Sequence, residues 1–217
     1  MDRINCFLSF SSKQEKLAGR IDVFLHSYCG YDTFLAHDHI QGGTIWEEEI
    51  CKAIEVCDLF IPLLSSAFRE SEFTDQEIGM AVCLKKRIIP VKFESINPYG
   101  FINKYQALEY KILSQSYYHP DNMSELALAI GQIGLAYNKK SLIYKKVVNS
   151  LVYAFCKSKS FDSTNAVIQL IMKCKDLSKN HLNEIAMAIK ANPQVSKSFG
   201  LPSLVNFLQT MYNFHID

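Results

Sequence analysis

The chain has 217 residues, 48% of them hydrophobic and 21% charged, enough to bury a sizeable core. A net charge of +1 speaks against a general nucleic-acid binder, and no apolar run reaches the length that spans a membrane. The seven cysteines are odd in number, form no CxxC pair and sit mostly among apolar residues. They read as small buried side chains in a reducing compartment, not as disulfides or a zinc site. With no basic-then-apolar leader, the expected location is cytoplasmic. Charge is uneven along the chain. Residues 1–140 carry 14 Lys+Arg against 18 Asp+Glu (−4), and residues 141–217 carry 9 against 4 (+5), a split that ordinary solvated surfaces also produce.

In chain order, "INCFLSF" (Ile4 to Phe10) is a short apolar run and reads as a buried strand. "SSKQEKLAGRIDVFLHSYC" follows with Leu17, Ile21, Phe24, Leu25 and Tyr28 at helical spacing. "DTFLAHD" (Asp32 to Asp38) is strand-like, "IQGGTIW" a glycine-containing loop, and "WEEEICKAIEVC" an amphipathic helix. "LFIPLL" (Leu59 to Leu64) predicts a strand, "TDQEIGMAVCLKK" a helix and "RIIPVKF" (Arg87 to Phe93) a further strand. A weak strand is expected near "YKILSQ" (Tyr110 to Gln115), then a helix over "MSELALAIGQIGLAY". Pro62 and Pro90 fall within strand runs, where proline suits an edge or an end.

Short apolar strands alternating with helices define an α/β fold with a parallel sheet covered on both faces. "YNKKS" (Tyr137 to Ser141) is the expected hinge between a domain over residues 1–140 and a small all-α appendage over 141–217. Four helices are expected in the appendage. Asp162 or Ser163 is the candidate cap of the second. Ser178 is the candidate cap of the third, which stops before Pro193.

In a parallel α/β sheet, ligands bind beyond the carboxyl ends of the strands. The segments falling there bring Ser11, Asp38, Trp46 and Glu77 to one rim. Glu77 is the unusual residue. On a helical wheel it lies inside an apolar arc formed by Phe73, Met80, Ala81 and Leu84, where an unpaired carboxylate is costly. Two readings stand. "TDQE" is a capping box, with Thr74 as the cap and Glu77 reaching back to it. Alternatively, Glu77 is a catalytic acid held partly dry against Phe73, its pKa raised. Glu47, Glu48 and Glu49 read as dipole-favoured solvent charges, and Trp46 as either core or a stacking wall. His37 and His39 flank Asp38 without a third ligand, so no metal is expected. No GxGxxG, Walker or nucleophile-elbow pattern occurs.

Three stretches, "INCFLSFSSKQEK", "DTFLAHDHIQGGTIWEEEICKAIEVCDLFIPLLSSAFRESEFTDQEIGMA" and "KRIIPVKFE", together resemble a bacterial TIR (Toll/interleukin-1 receptor homology) domain from about Ile4 to Lys140. The order of motifs carries the resemblance. A "FxSxSSK" first strand and a "FxAHxxIxxGxxW" loop precede a "CDxFIxLLS" third strand, and an aromatic then stands four residues before a glutamate. The resemblance implies a flavodoxin-like five-stranded parallel sheet. It also implies cleavage of NAD, as substrate and not cofactor, at the nicotinamide–ribose bond. The family's catalytic glutamate falls on Glu77, and its preceding aromatic, usually tryptophan, on Phe73. Phe10 and Ser11 match the first-strand rim, and Asp38 to Trp46 the loop that covers the site and mediates domain contacts. The family further implies an ADP-ribose-derived signal, cyclic or conjugated, that activates a separate effector in Thoeris-type antiphage defence. Self-association through TIR surfaces and the C-terminal helices is expected, with neither nucleic acid nor membrane as partner. A non-catalytic TIR scaffold and a nucleoside 2-deoxyribosyltransferase-like enzyme are the alternatives.

Overall fold

The computed structural model describes residues 1–35, 46–110 and 123–216. The chain divides into two compact units. One comprises Ile4–Val23 and Asp32–Leu126, and the other Met1–Arg3, Phe24–Tyr31 and Ala127–Asp217.

The first unit is built on parallel strands β1 (Asn5–Ser9), β2 (Asp32–Leu35), β3 (Leu59–Leu64), β4 (Arg87–Ile88), β5 (Val91–Lys92) and β6 (Leu108–Glu109). Their order is β2-β1-β3-β5-β6, with β4 also on β3. The register shows that β4 and β5 are one strand position interrupted. Leu59 and Phe60 face Arg87 and Ile88, and Leu63 and Leu64 face Val91 and Lys92, all at the same offset. The sheet therefore has the expected five positions. The interruption falls where Pro62 and Pro90 oppose each other, because neither can donate to the ladder there. Pro62 thus sits inside a central strand, not at an edge or end. The weak strand forms two residues earlier than expected, and all but Tyr110 of the expected stretch lies outside the described residues.

All six residues of β3 are buried, as a sheet covered on both faces requires. On one face, Phe34, Phe7 and Phe60 stack in a row across β2, β1 and β3, with centroids 5.5 Å apart at each step. Helix α1 (Glu15–Cys29) follows β1. Helices α2 (Trp46–Val56), α3 (Ser66–Arg69) and α4 (Glu72–Cys83) complete the connections. Ile50 and Ile54 of α2 and Ile78 and Ala81 of α4 share a buried cluster with Phe7 and Phe60.

The second unit is helical, with α5 (Met123–Leu135) from Ala127 onward, α6 (Leu142–Cys156), α7 (Phe161–Ile171), α8 (Lys179–Ala191), α9 (Pro193–Ser196) and α10 (Leu201–Tyr212). Ser178 caps α8 as expected, its Oγ accepting from His181 N. The cap of α7 is neither Asp162 nor Ser163 but Ser160, which accepts from Ser163 N at 3.1 Å. Asp162 instead occupies the first turn, where it complements the helix dipole. All seven cysteines are free. Cys6, Cys29, Cys57 and Cys174 are buried, whereas Cys51 and Cys83 are exposed. Burial pushes the Cys29 and Cys174 thiols up to about 12, as inert core cysteines require.

Candidate active site

The candidate site lies at the carboxyl end of β1, in the sheet unit. Ser9 is the last residue of β1, in register with Pro62 of β3, and its side chain is fully buried. Its hydroxyl donates to Glu77 Oε2 at 2.5 Å. Glu77 is only 5% exposed. Burial pushes its carboxyl up to about 7, and the Ser9 hydroxyl opposes that shift by favouring the ionised form.

The capping-box reading of Glu77 does not hold. Helix α4 starts earlier than "TDQE" suggests, with Ser71 at its N-cap position. Thr74 lies in the first turn, and its hydroxyl donates to Phe68 O at 2.7 Å and Ser71 O at 2.8 Å. Glu77 consequently sits in the second turn, too far along to serve as a reciprocal cap. The buried stripe of α4 is Thr74, Glu77, Ile78 and Ala81. The wheel predicted a different apolar arc: Phe73 and Leu84 are 50% and 47% exposed. Glu77 is buried as expected, but among other neighbours.

The remaining expected residues divide as follows. Phe10 and Ser11 continue the chain from Ser9, and both are buried. Ser11 O accepts from Gln14 N at 2.7 Å and Ser11 N donates to Gln14 Oε1 at 3.2 Å. The Gln14 amide in turn donates to Leu63 O at 3.2 Å, tying this turn to the end of β3. Phe73 stands one helical turn before Glu77 and is half exposed. Trp46 opens α2, but its side chain and the whole of Asp38 lie outside the described residues, as do His37 and His39. Sequence reading missed Ser9. It is the first serine of the "FxSxSSK" motif, but the same run also holds the polar Asn5, and nothing local singles Ser9 out. Among the described residues no group of three His, Cys, Asp or Glu side chains could hold a metal ion.

A buried carboxylate on a helix, held by a hydroxyl at a strand end of a parallel sheet, defines an α/β protein with a candidate catalytic acid at its ligand-binding edge. The family model described as "TIR domain" matches residues 6–131, more than half of the chain, and the chain belongs to that family. Similar solved structures include the TIR domain of the Toll-related receptor TRR-2 from Hydra magnipapillata. It has a TM-score of 0.43 and 20% identity over 48% of this chain and 82% of that one. A second is the CMP N-glycosidase BcmB from Clostridium botulinum, with a TM-score of 0.37 and 22% identity over 56% of this chain and 97% of that one. No curated protein matches. No helix of the described residues is long and apolar enough to cross a membrane.

Proposed function

We propose that this TIR protein cleaves NAD at the nicotinamide–ribose bond and releases an ADP-ribose-derived signal, cyclic or conjugated, for a separate defence effector of the Thoeris kind. The observation that carries the reading is the Glu77 carboxyl, buried and bonded to Ser9 at the strand end.

The chemistry needs little more. The C1′–N1 bond breaks, and its electron pair neutralises the pyridinium ring, so the departing nicotinamide needs no proton. The barrier lies in the oxocarbenium charge that develops on the ribose. An ionised Glu77 offsets that charge, and a low-dielectric surrounding strengthens the effect. An oxygen nucleophile, either water or an acceptor hydroxyl, then bonds to C1′ and loses its proton. Phe10 and Phe73 supply apolar surface beside the site, Ser11 orders the strand-end turn, and Asp38 and Trp46 are assigned to the covering loop. Ser9 occupies only Oε2, so the other carboxylate oxygen is left for a ribose hydroxyl.

The same burial also favours a second reading, a scaffold that self-associates without turnover. Incubating concentrated or crowded protein with NAD and following nicotinamide release decides between them. Release that disappears in Glu77→Gln supports the enzyme. Release that persists in that variant sinks the site, and silence in every assembled state supports the scaffold. A nucleoside arm beside NAD tests the deoxyribosyltransferase alternative.

A further inference from the structure

The helical unit contains a groove of about 750 Å³ that the proposed reaction does not use. Its size falls in the range of roughly 300–1,000 Å³ that small-molecule sites occupy. Its walls are ordered by polar contacts. Asn149 donates through Nδ2 to Asp2 O at 2.9 Å, fixing the segment that forms one side. His181 accepts from Ser178 N through Nδ1 at 3.2 Å, so Nε2 carries the proton and donates to Asn149 Oδ1 at 2.9 Å. Arg3 stacks on Tyr153 with its guanidinium carbon 3.9 Å from the ring centroid, and it donates to Gly30 O. Asn192, also in the lining, donates through Nδ2 to Ser158 O at 2.9 Å.

The lining combines three kinds of surface. Met1 and Met187 are 61% and 70% exposed and present flexible thioethers, which adapt to flat apolar ligands. Arg3 and Lys157 supply positive charge. Glu184 supplies one acceptor carboxylate. Lys157 and Glu184 both act electrostatically on the Cys156 thiol, and among the described residues neither side chain makes a hydrogen bond or ion pair.

We propose that this groove binds a purine nucleoside phosphate, with the phosphate toward Lys157 and Arg3, the base against Met1 and Met187, and an exocyclic amine or ribose hydroxyl on Glu184. A free amino acid would offer both charges but leave most of the volume empty. A purine nucleotide occupies far more of it and matches the excess of positive charge. The inference does not depend on the NAD chemistry at Glu77.

Calorimetric titration of the full chain with AMP, ADP-ribose and inorganic phosphate tests it, alongside Lys157→Glu and Met187→Glu. Both residues are exposed, and unchanged melting temperatures establish that the variants fold. The expected result is one saturable site for AMP or ADP-ribose, weakened about tenfold or more in each variant, with phosphate alone far weaker. Absence of nucleotide binding up to about 1 mM overturns the proposal. So does binding that both variants leave intact, because the ligand then sits elsewhere. Self-association abolished by Met187→Glu, without nucleotide binding, also overturns it and assigns the groove to a second copy of the chain.

Discussion

At the scale of single residues, Glu77 carries most of the consequences. Its carboxyl is raised to about 7 by burial, against 4.5 for an ordinary glutamate. Between those values the native state holds a proton that the unfolded chain has released. The stability that this group contributes is therefore fully present below about pH 4.5 and is lost as pH rises through 7, by about 3 kcal/mol. Glu77→Gln is expected to abolish that slope and to make the protein at least as stable as wild type at pH 8, measured by denaturant unfolding. The same substitution is expected to eliminate nicotinamide release. A residue whose replacement stabilises the fold while removing the activity is one retained for chemistry. The proposed reaction needs the ionised form, so kcat/KM should rise with pH through about 7. Ser9→Ala removes the donor that favours ionisation, so the ascending limb should move to higher pH, a shift read directly from the pH–rate profile. The burial of Glu77 was legible from its place in an apolar arc, although Phe73 and Leu84 of that arc are half exposed, and its assignment as the acid came from the TIR resemblance. Its partner was not legible. A serine at a strand end looks like any polar residue at the edge of a run, and its contact with Glu77 spans 68 positions.

At the scale of elements, the sequence reading succeeded where one signal acted alone. Leu59–Leu64 was read to the residue because the run is uniformly apolar and every position is buried. It failed where two local signals competed. "TDQE" and "FDST" each contain a good capping residue, yet the cap positions are taken by earlier serines, Ser71 three residues before Thr74 and Ser160 two before Asp162. Caps are chosen by where the chain leaves its packed turn, which local spacing does not encode. Pro62 misled for a related reason, since only pairing shows that Pro90 lies opposite and shares one gap in the ladder. Helix α1 gives a matched test. An added Cβ at Gly19 meets nothing within 4 Å, so Gly19→Ala should stabilise by roughly 0.5–1 kcal/mol through helix propensity. Gly30, just past the helix end, has φ of +68° and a Cβ there would stand 2.0 Å from Ser150 O. Gly30→Ala should therefore destabilise by more than Gly19→Ala stabilises. Thermal melts of the two variants check both signs.

At the scale of the whole molecule, the family match and the packing units have different ends. The match runs to residue 131, within α5, whereas Ala127 onward packs in the helical unit together with Phe24–Tyr31. Two glycines of α5 make this packing close. A Cβ at Gly131 would meet Leu170 of α7 at 2.8 Å and the Cys29 sulfur at 3.1 Å, and one at Gly134 would meet the Tyr31 hydroxyl at 2.6 Å and Val147 of α6 at 2.9 Å. The Cys29 thiol also donates to Ala127 O at 3.1 Å. The second half of α5 is thus fitted to α6 and α7, which follow the expected hinge at Tyr137 to Ser141. A chain ending at Lys140 would keep nearly all of the motifs that carry the TIR resemblance. It would also leave Ala127 and Ile130, both buried in the full chain, without those two helices. Exposing such a face costs several kcal/mol, a large share of the stability of an ordinary domain. The truncated protein is expected to melt at lower temperature than the full chain, to bind a hydrophobic dye and to be cut by protease within α5. A truncated chain that melts cooperatively at the full-length temperature and releases nicotinamide at the same rate would show instead that the helices serve only assembly or sensing.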